Sequence, residues 1–159
     1  MLGYIGLGSN MQNPTQQIQQ AIQTLSQLRQ LRLCKVSSIY ETAPMGPQDQ
    51  PQYCNAVVQI ETILDPFVLL DLLQNIEQAQ GRIRAQPWGP RTLDLDLLLY
   101  GQQTLLSKRL ILPHPGLHER SFVLVPLLEL DEEIFLPGLG LAKQFLHCVD
   151  SLGIHKLVD

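Results

Sequence analysis

The chain changes its hydrophobic period in a fixed order, and that order limits the folds open to it more than any other feature. Residues 2–8 alternate apolar side chains with glycine, the period of 2 that a strand requires. Asn13 then precedes Pro14, a cap followed by a proline at the first helical position. Ile18, Ala21, Ile22, Leu25 and Leu28 recur at helical spacing within 15–29, leaving the glutamines on a wet face. Residues 32–40 and 53–63 are rich in β-branched and aromatic residues, and read as two strands joined by a proline-stiffened loop over 41–52. Asp65 and Pro66 open a second helix, whose Phe67, Leu69, Leu70, Leu72, Leu73, Ile76 and Ala79 form a broad apolar face ending at Gly81. A Gly/Pro/Arg loop leads into a last strand, TLDLDLLLYG, and short helices are expected at about 117–129 and 141–149.

The order β-α-β-β-α-β predicts an α+β fold of the ferredoxin-like kind. In it, an antiparallel four-stranded core sheet has helices packed on one face, with extra short helices at the C-terminal end. With 159 residues, 45% of them hydrophobic and 16% charged, the chain suits one domain over 1–159. The start carries no basic leader and no apolar run approaches the roughly 20 residues of a membrane span, so a soluble, cytoplasmic protein is expected, with no membrane partner. Cys34, Cys54 and Cys148 lack CxxC spacing and read as reduced packing residues. A net charge of -4 argues against a general nucleic-acid binder. A monomer is expected, and the acidic ELDEE at 129–133 reads as a solvated helix end.

Within TLDLDLLLYG, Asp94 and Asp96 share one face of the strand, about 7 Å apart, while Leu93, Leu95 and Leu97 fill the other. Two carboxylates beside a core repel one another. A divalent cation relieves that repulsion, and so does a strand end open to water; the residues alone leave both readings standing. Five of the seven arginines (Arg82, Arg84, Arg91, Arg109 and Arg120) lie in the same stretch of chain, and arginine suits bidentate contact with phosphate. There is no GxxxxGK[ST] and no GxGxxG order, so P-loop and Rossmann sites are excluded. Hard oxygen ligands without a Cys or His cluster favour Mg²⁺ held between carboxylates and substrate phosphates, which points to a magnesium nucleotide. His114, between two prolines, is a phosphate or ribose donor or else a packed turn residue. Trp88 stands in a Gly/Pro-rich loop, where an indole can stack on a flat ring. Tyr53 and Asn55 alternate onto one strand face, and Asn can read a heterocycle edge by donating and accepting at once. Phe122 taken alone reads as core.

Taken together, GLGSN, SSIYETAPMGPQDQPQYCNAVVQIET, IEQAQGRIR, WGPRTLDLDLLLYG and the LPHP to RSFVLVPL segment make the chain similar, over nearly its whole length, to the 6-hydroxymethyl-7,8-dihydropterin pyrophosphokinase family of folate biosynthesis. The resemblance implies transfer of pyrophosphate from ATP, as co-substrate, to the hydroxymethyl oxygen of the pterin, with release of AMP. It implies that Asp94 and Asp96 hold two Mg²⁺ ions, and that Arg82 and Arg91 close over the phosphates. Gln74, Glu77, Arg84, Trp88, Leu97, Arg109, His114 and Arg120 would serve ATP. The pterin would lie between Tyr53 and Phe122, read by Asn55 and by Thr42, Ala43, Pro44 and Met45, with Trp88 as a lid. Pro115, Ala43 and a short 82–88 loop depart from the family's pattern. Two rivals remain at this stage. A nucleotidyltransferase pairs a GS turn with an Asp-x-Asp strand close in sequence, whereas Ser9 and Asp94 are 94 − 9 = 85 positions apart here. A non-catalytic ferredoxin-like binding module would have no need of Asp94 and Asp96.

Overall fold

The structure is a computed structural model that describes residues 1–10, 13–42, 53–81, 93–149 and 153–157. Its strands and helices follow the expected order: β1 (Leu2–Ser9), α1 (Pro14–Gln27), β2 (Leu31–Val36), β3 (Tyr40–Thr42), β4 (Tyr53–Thr62), α2 (Pro66–Ala79) and β5 (Asp94–Tyr100). Beyond them come a small hairpin of β6 (Leu105–Leu106) and β7 (Ile111–Leu112), a 3-10 turn at Leu117–Glu119, and α3 (Ser121–Leu130). A second small hairpin, β8 (Phe135–Leu136) and β9 (Gly140–Leu141), a 3-10 segment at Ala142–Cys148, and β10 (Ile154–Lys156) complete the described chain.

The sheet is antiparallel throughout and runs β10-β3-β4-β1-β5, with β2 also pairing β4. The expected strand over 32–40 is two strands. The chain leaves the ladder at Ser37, whose side chain accepts from Val57 N–H at 2.8 Å while its own N–H donates to Val57 O at 2.9 Å. A hydroxyl thus takes the place of one rung, and the following residues bend away before β3 rejoins β4. The sheet therefore has six strands where four were expected, because of this split and because β10 joins the edge beyond β3. Three residues are too few for β10 to show a period in the sequence.

Helices cover both faces of the sheet, not one. Against α1 and α2 lie Ile5, Leu7, Val58, Ile60, Leu95 and Leu97, packed on Ile18, Leu25, Leu69 and Leu73. The opposite face carries Tyr4, Val57, Leu98 and Leu99, covered by Leu117, Leu124 and Leu127 of the 3-10 turn and α3. The run Leu97, Leu98, Leu99 breaks strand alternation because of a bulge: Tyr4 pairs with Leu99 and Ile5 with Leu97, leaving Leu98 unpaired. The bulge keeps both Leu98 and Leu99 on the α3 face and returns Tyr100 to the other, where its hydroxyl donates to Leu64 O.

Asp65 caps α2 by accepting from Phe67 N–H at 2.9 Å, as expected. Asn13 occupies the cap position of α1 in a left-handed conformation (φ 53°), with no side-chain cap bond, so Pro14 carries the start without it. The helix expected at 117–129 breaks at Arg120, which is extended, and the one at 141–149 is a 3-10 segment. Of the cysteines, Cys54 is buried, Cys34 is half-buried and Cys148 is exposed, so only the first packs as expected; all three are free.

The ELDEE segment is not merely a solvated end. The Glu129 carboxylate accepts from Tyr40 OH at 2.5 Å and from Ser38 N–H and Oγ at 2.9 and 3.0 Å, while Lys35 Nζ donates to Leu130 O at 3.2 Å. The C-terminal turn of α3 is pinned in this way to the β2–β3 edge. Partial burial works against the Glu129 charge. The hydrogen bonds from Tyr40 and Ser38, with Lys156 nearby, outweigh it and hold the carboxyl below its ordinary range. A depressed folded-state pKa contributes stability that is present above the unfolded value and lost as the pH falls through the folded one. Thermal melts across pH should therefore show wild type more stable than Glu129→Gln at neutral pH, with the gap closing below the ordinary carboxylate range.

Candidate active site

Strand β5 ends the sheet, so its outer edge is open and both of its faces border the space beside it. There a cleft of about 430 Å³ is lined by Leu70, Gln74 and Glu77 of α2, by Asp94 to Leu97 of β5, and by Lys108 to Ile111, His114 and Pro115. The fold thus gathers seven of the residues singled out in sequence, Gln74, Glu77, Asp94, Asp96, Leu97, Arg109 and His114, from three separate stretches. Asp94 is half-buried and Asp96 exposed. Leu97 is 2% exposed and turns to the α2 core, reaching the cleft only because the strand is an edge.

Glu77 is 2% exposed and forms part of the cleft floor. One of its oxygens accepts from Leu95 N–H at 2.8 Å, so a buried carboxylate closes the open ladder of β5 between the two aspartates. Arg109 stands on the outer rim, its guanidinium ion-paired with Asp71 and 6.0 Å from the Phe67 ring. Both partners are about half exposed, so the pair orients the arginine more than it stabilises the fold. Lys108 was missed in sequence; its one signal was the doublet it makes with Arg109 in SKRL.

His114 reaches the aspartates because its N–H donates to Leu98 O at 2.9 Å, tying the turn after β7 to β5. Burial pushes the imidazole below its ordinary pKa, the Asp96 carboxylate opposes that, and Arg120 adds to it. Nδ1 accepts from Gly116 N–H at 3.1 Å, so the neutral ring carries its proton on Nε2 and offers a donor, not a charge. Arg120 passes over Gly116, where an added Cβ would lie 2.8 Å from Nε, and its guanidinium stands 5.8 Å from the Phe122 ring. Arg120 is not among the residues that line the cleft, though its charge is felt at His114.

Thr42, Tyr53 and Asn55 stand on the same sheet face as the aspartates, across β1. Asn55, Gly8 and Asp94 are paired across β4, β1 and β5, and Val57, Gly6 and Asp96 form the next row. Partners in a row point the same way, so Asn55 and Asp94 face the same side two strand spacings, about 10 Å, apart. Asn55 also pairs with Tyr40, and Tyr53 with Thr42. The Asn55 side chain is 7% exposed and its Nδ2 has no hydrogen-bond partner among the described residues, a state that costs about 1–3 kcal/mol until an acceptor arrives. Phe122 is half-buried at the first turn of α3, not a core residue. Arg82, Arg84, Trp88, Arg91, Ala43, Pro44 and Met45 lie outside the described residues.

The donor set suits a hard divalent cation. Among the described residues no group of three or more His, Cys, Asp or Glu side chains forms a closed cage. What Asp94 and Asp96 offer is two carboxylates on one face of an edge strand, at the mouth of a cleft flanked by cations. That is how Mg²⁺ is held when phosphate oxygens and water complete its shell.

Residues 4–132 match the family model described as 7,8-dihydro-6-hydroxymethylpterin-pyrophosphokinase (HPPK). Among curated proteins, the 2-amino-4-hydroxy-6-hydroxymethyldihydropteridine pyrophosphokinase of Haemophilus influenzae is 50% identical over 155 residues, covering 98% of this chain and 95% of that protein. The protein of the same name from Pseudomonas aeruginosa is 45% identical over 154 residues, covering 97% and 95%. Among solved structures, Plasmodium falciparum HPPK-DHPS with pteroate superposes with a TM-score of 0.73 at 14% identity, covering 92% of this chain. The chain spans 42% of that larger protein, and the likeness speaks for the fold alone. No helix among the described residues is long and apolar enough to cross a membrane.

The Glu77 contact supplies a test of how the cleft is built. Glu77→Ala should lower unfolding stability by about 1–3 kcal/mol in denaturant titrations, because it leaves Leu95 N–H buried without an acceptor, whereas Glu77→Gln, which keeps one, should lose less.

Proposed function

The chain belongs to the 7,8-dihydro-6-hydroxymethylpterin-pyrophosphokinase family, and from that premise we propose that the edge of β5 is where its two substrates meet. The enzyme transfers pyrophosphate from ATP to the hydroxymethyl group of 6-hydroxymethyl-7,8-dihydropterin, giving AMP and the pterin diphosphate. The observation that carries the assignment of the site is the shared row of Asn55, Gly8 and Asp94. About 10 Å between its ends matches a two-ring heterocycle with its one-carbon arm.

In this reading Asn55 donates to the pterin edge, Tyr53 and Phe122 take its two faces, and Thr42 borders it, together with Ala43, Pro44 and Met45. The hydroxymethyl oxygen then points along the row toward Asp94 and Asp96. Gln74 and Leu97 border the nucleotide, with Glu77 at the cleft floor. His114 Nε2, Lys108, Arg109 and Arg120 meet the phosphates. Arg82, Arg84 and Arg91 add charge from the preceding loop and Trp88 lids the site, assignments that rest on the sequence motif. Asp94 and Asp96 would hold the Mg²⁺ ions, two in number, which neutralise the triphosphate and draw charge from the phosphorus under attack. The alcohol is the nucleophile, and the protein's part is to align it and to stabilise charge. We take the whole of 1–159 as one domain, active in the cytoplasm as a monomer.

The test is product analysis with ATP, Mg²⁺ and 6-hydroxymethyl-7,8-dihydropterin. AMP should appear in step with the pterin diphosphate, whereas free pyrophosphate would mark nucleotidyl transfer. Asp96→Ala should reduce turnover by about three or more orders of magnitude while the protein stays folded, since the residue is exposed on an edge strand. Unchanged turnover in that variant would remove Asp96 from the site.

A further inference from the structure

The motif GLGSN contributes no side chain to the site described above, yet its second glycine touches it. We propose that Gly8 is a positioning residue for the pterin and acts through Asn55; the inference rests on the reading of Asn55 given above. The backbone does not explain the glycine, because Gly8 is not among the described glycines with a left-handed φ. Space does. A Cβ built on Gly8 would lie 2.9 Å from Asn55 Oδ1, closer than carbon and oxygen approach without a bond, and its next neighbours, Asn55 Cγ and Cys54 O, are at 3.9 Å. The same construction at Gly6 meets only Leu98 side-chain carbons at 3.4–3.6 Å, an ordinary contact.

Asn55 cannot retreat as a whole. Its backbone is laddered to Gly8 on one side and to Tyr40 on the other, and Tyr40 is itself buried, with its hydroxyl on Glu129. The only freedom left is rotation of the amide about its own side-chain bonds. Gly8 therefore gives the amide room to lie over β1, with Oδ1 against the glycine, on the face that Asn55 shares with Asp94, and with Nδ2 unpartnered among the described residues. A methyl group at position 8 would rotate the amide out of that plane. The atom displaced is the end of a short polar side chain, so the fold should survive while the donor is misdirected.

A double-mutant cycle tests this in the full chain, reading pterin affinity by calorimetry in the presence of Mg²⁺ and a non-hydrolysable ATP analogue, with steady-state kinetics and Tm beside it. Gly8→Ala should weaken pterin binding about tenfold, the worth of one misdirected hydrogen bond, with the KM for ATP within about twofold of wild type and Tm nearly unchanged. Asn55→Ala should weaken pterin binding at least as much. The double variant should be no weaker than Asn55→Ala alone, because a residue acting through the amide has nothing left to act on. Additive losses, or a Gly8→Ala variant that binds pterin as wild type does, would overturn the role of Gly8 while leaving the site assignment intact. If Asn55→Ala binds pterin normally, the site assignment and this inference fall together. Should Gly8→Ala not fold, removal of the amide in the double variant must restore a wild-type-like Tm; a double variant that stays unfolded overturns the proposal.

Discussion

The ladder that holds β1 between β4 and β5 is the constraint on which the site depends. Its register sets Asn55, Gly8 and Asp94 in one row and Val57, Gly6 and Asp96 in the next. Because side chains alternate, a slip of one residue between β1 and β5 would turn both aspartates into the α2 core and expose Leu95 and Leu97. Burying two carboxylates and losing two leucines from the core are each unfavourable, so the leucine face that drives folding is also what fixes the direction of the acids. The site's geometry follows from the packing of its opposite side.

Polar groups finish what the apolar faces begin. Glu77 closes the open edge of β5 from α2, and Glu129 ties the end of α3 to the β2–β3 edge through Ser38 and Tyr40. Each carboxylate stands where one element must be fixed against another that it does not pair with by ladder. Helix α3 is held at its far end by Glu129 and Leu130 and carries Phe122 at its near end, next to its Arg120 cap. The Asn55 amide nitrogen, like Ser9 Oγ, is instead buried with no hydrogen-bond partner among the described residues. On the proposed reading of the site, the pterin edge is what completes the Asn55 donor.

The comparisons separate what is general from what is particular. At 13–14% identity, solved HPPK-DHPS structures still superpose with TM-scores of 0.70–0.74, so the layered sheet tolerates nearly complete exchange of its side chains. The curated pyrophosphokinases at 45–50% identity share far more than a scaffold. Fold and chemistry are set by different parts of the chain. The fold rests on the hydrophobic periods, and the chemistry, on the proposed reading, on a few residues at one sheet edge.

The sequence by itself determined the order of strands and helices, the leucine and aspartate faces of β5, and the family, because period and motif are local properties that need no partner to be read. Within α1 it marked Ile18, Ala21 and Leu25, all fully buried, and at α2 it placed the Asp65 cap. Tertiary structure alone decided the rest. That Ser37 replaces a rung, that β10 joins the sheet, that Leu98 bulges and that Glu129 is bonded rather than merely wet each require a second segment to be in place. Lys108 belongs to the cleft only because the β6–β7 hairpin folds back beside β5, and Gly8 matters only because Asn55 lies across from it. Such pairings join segments that are not neighbours in the chain. No period along the chain encodes them, since they arise where independently formed faces are pressed together to bury a common core.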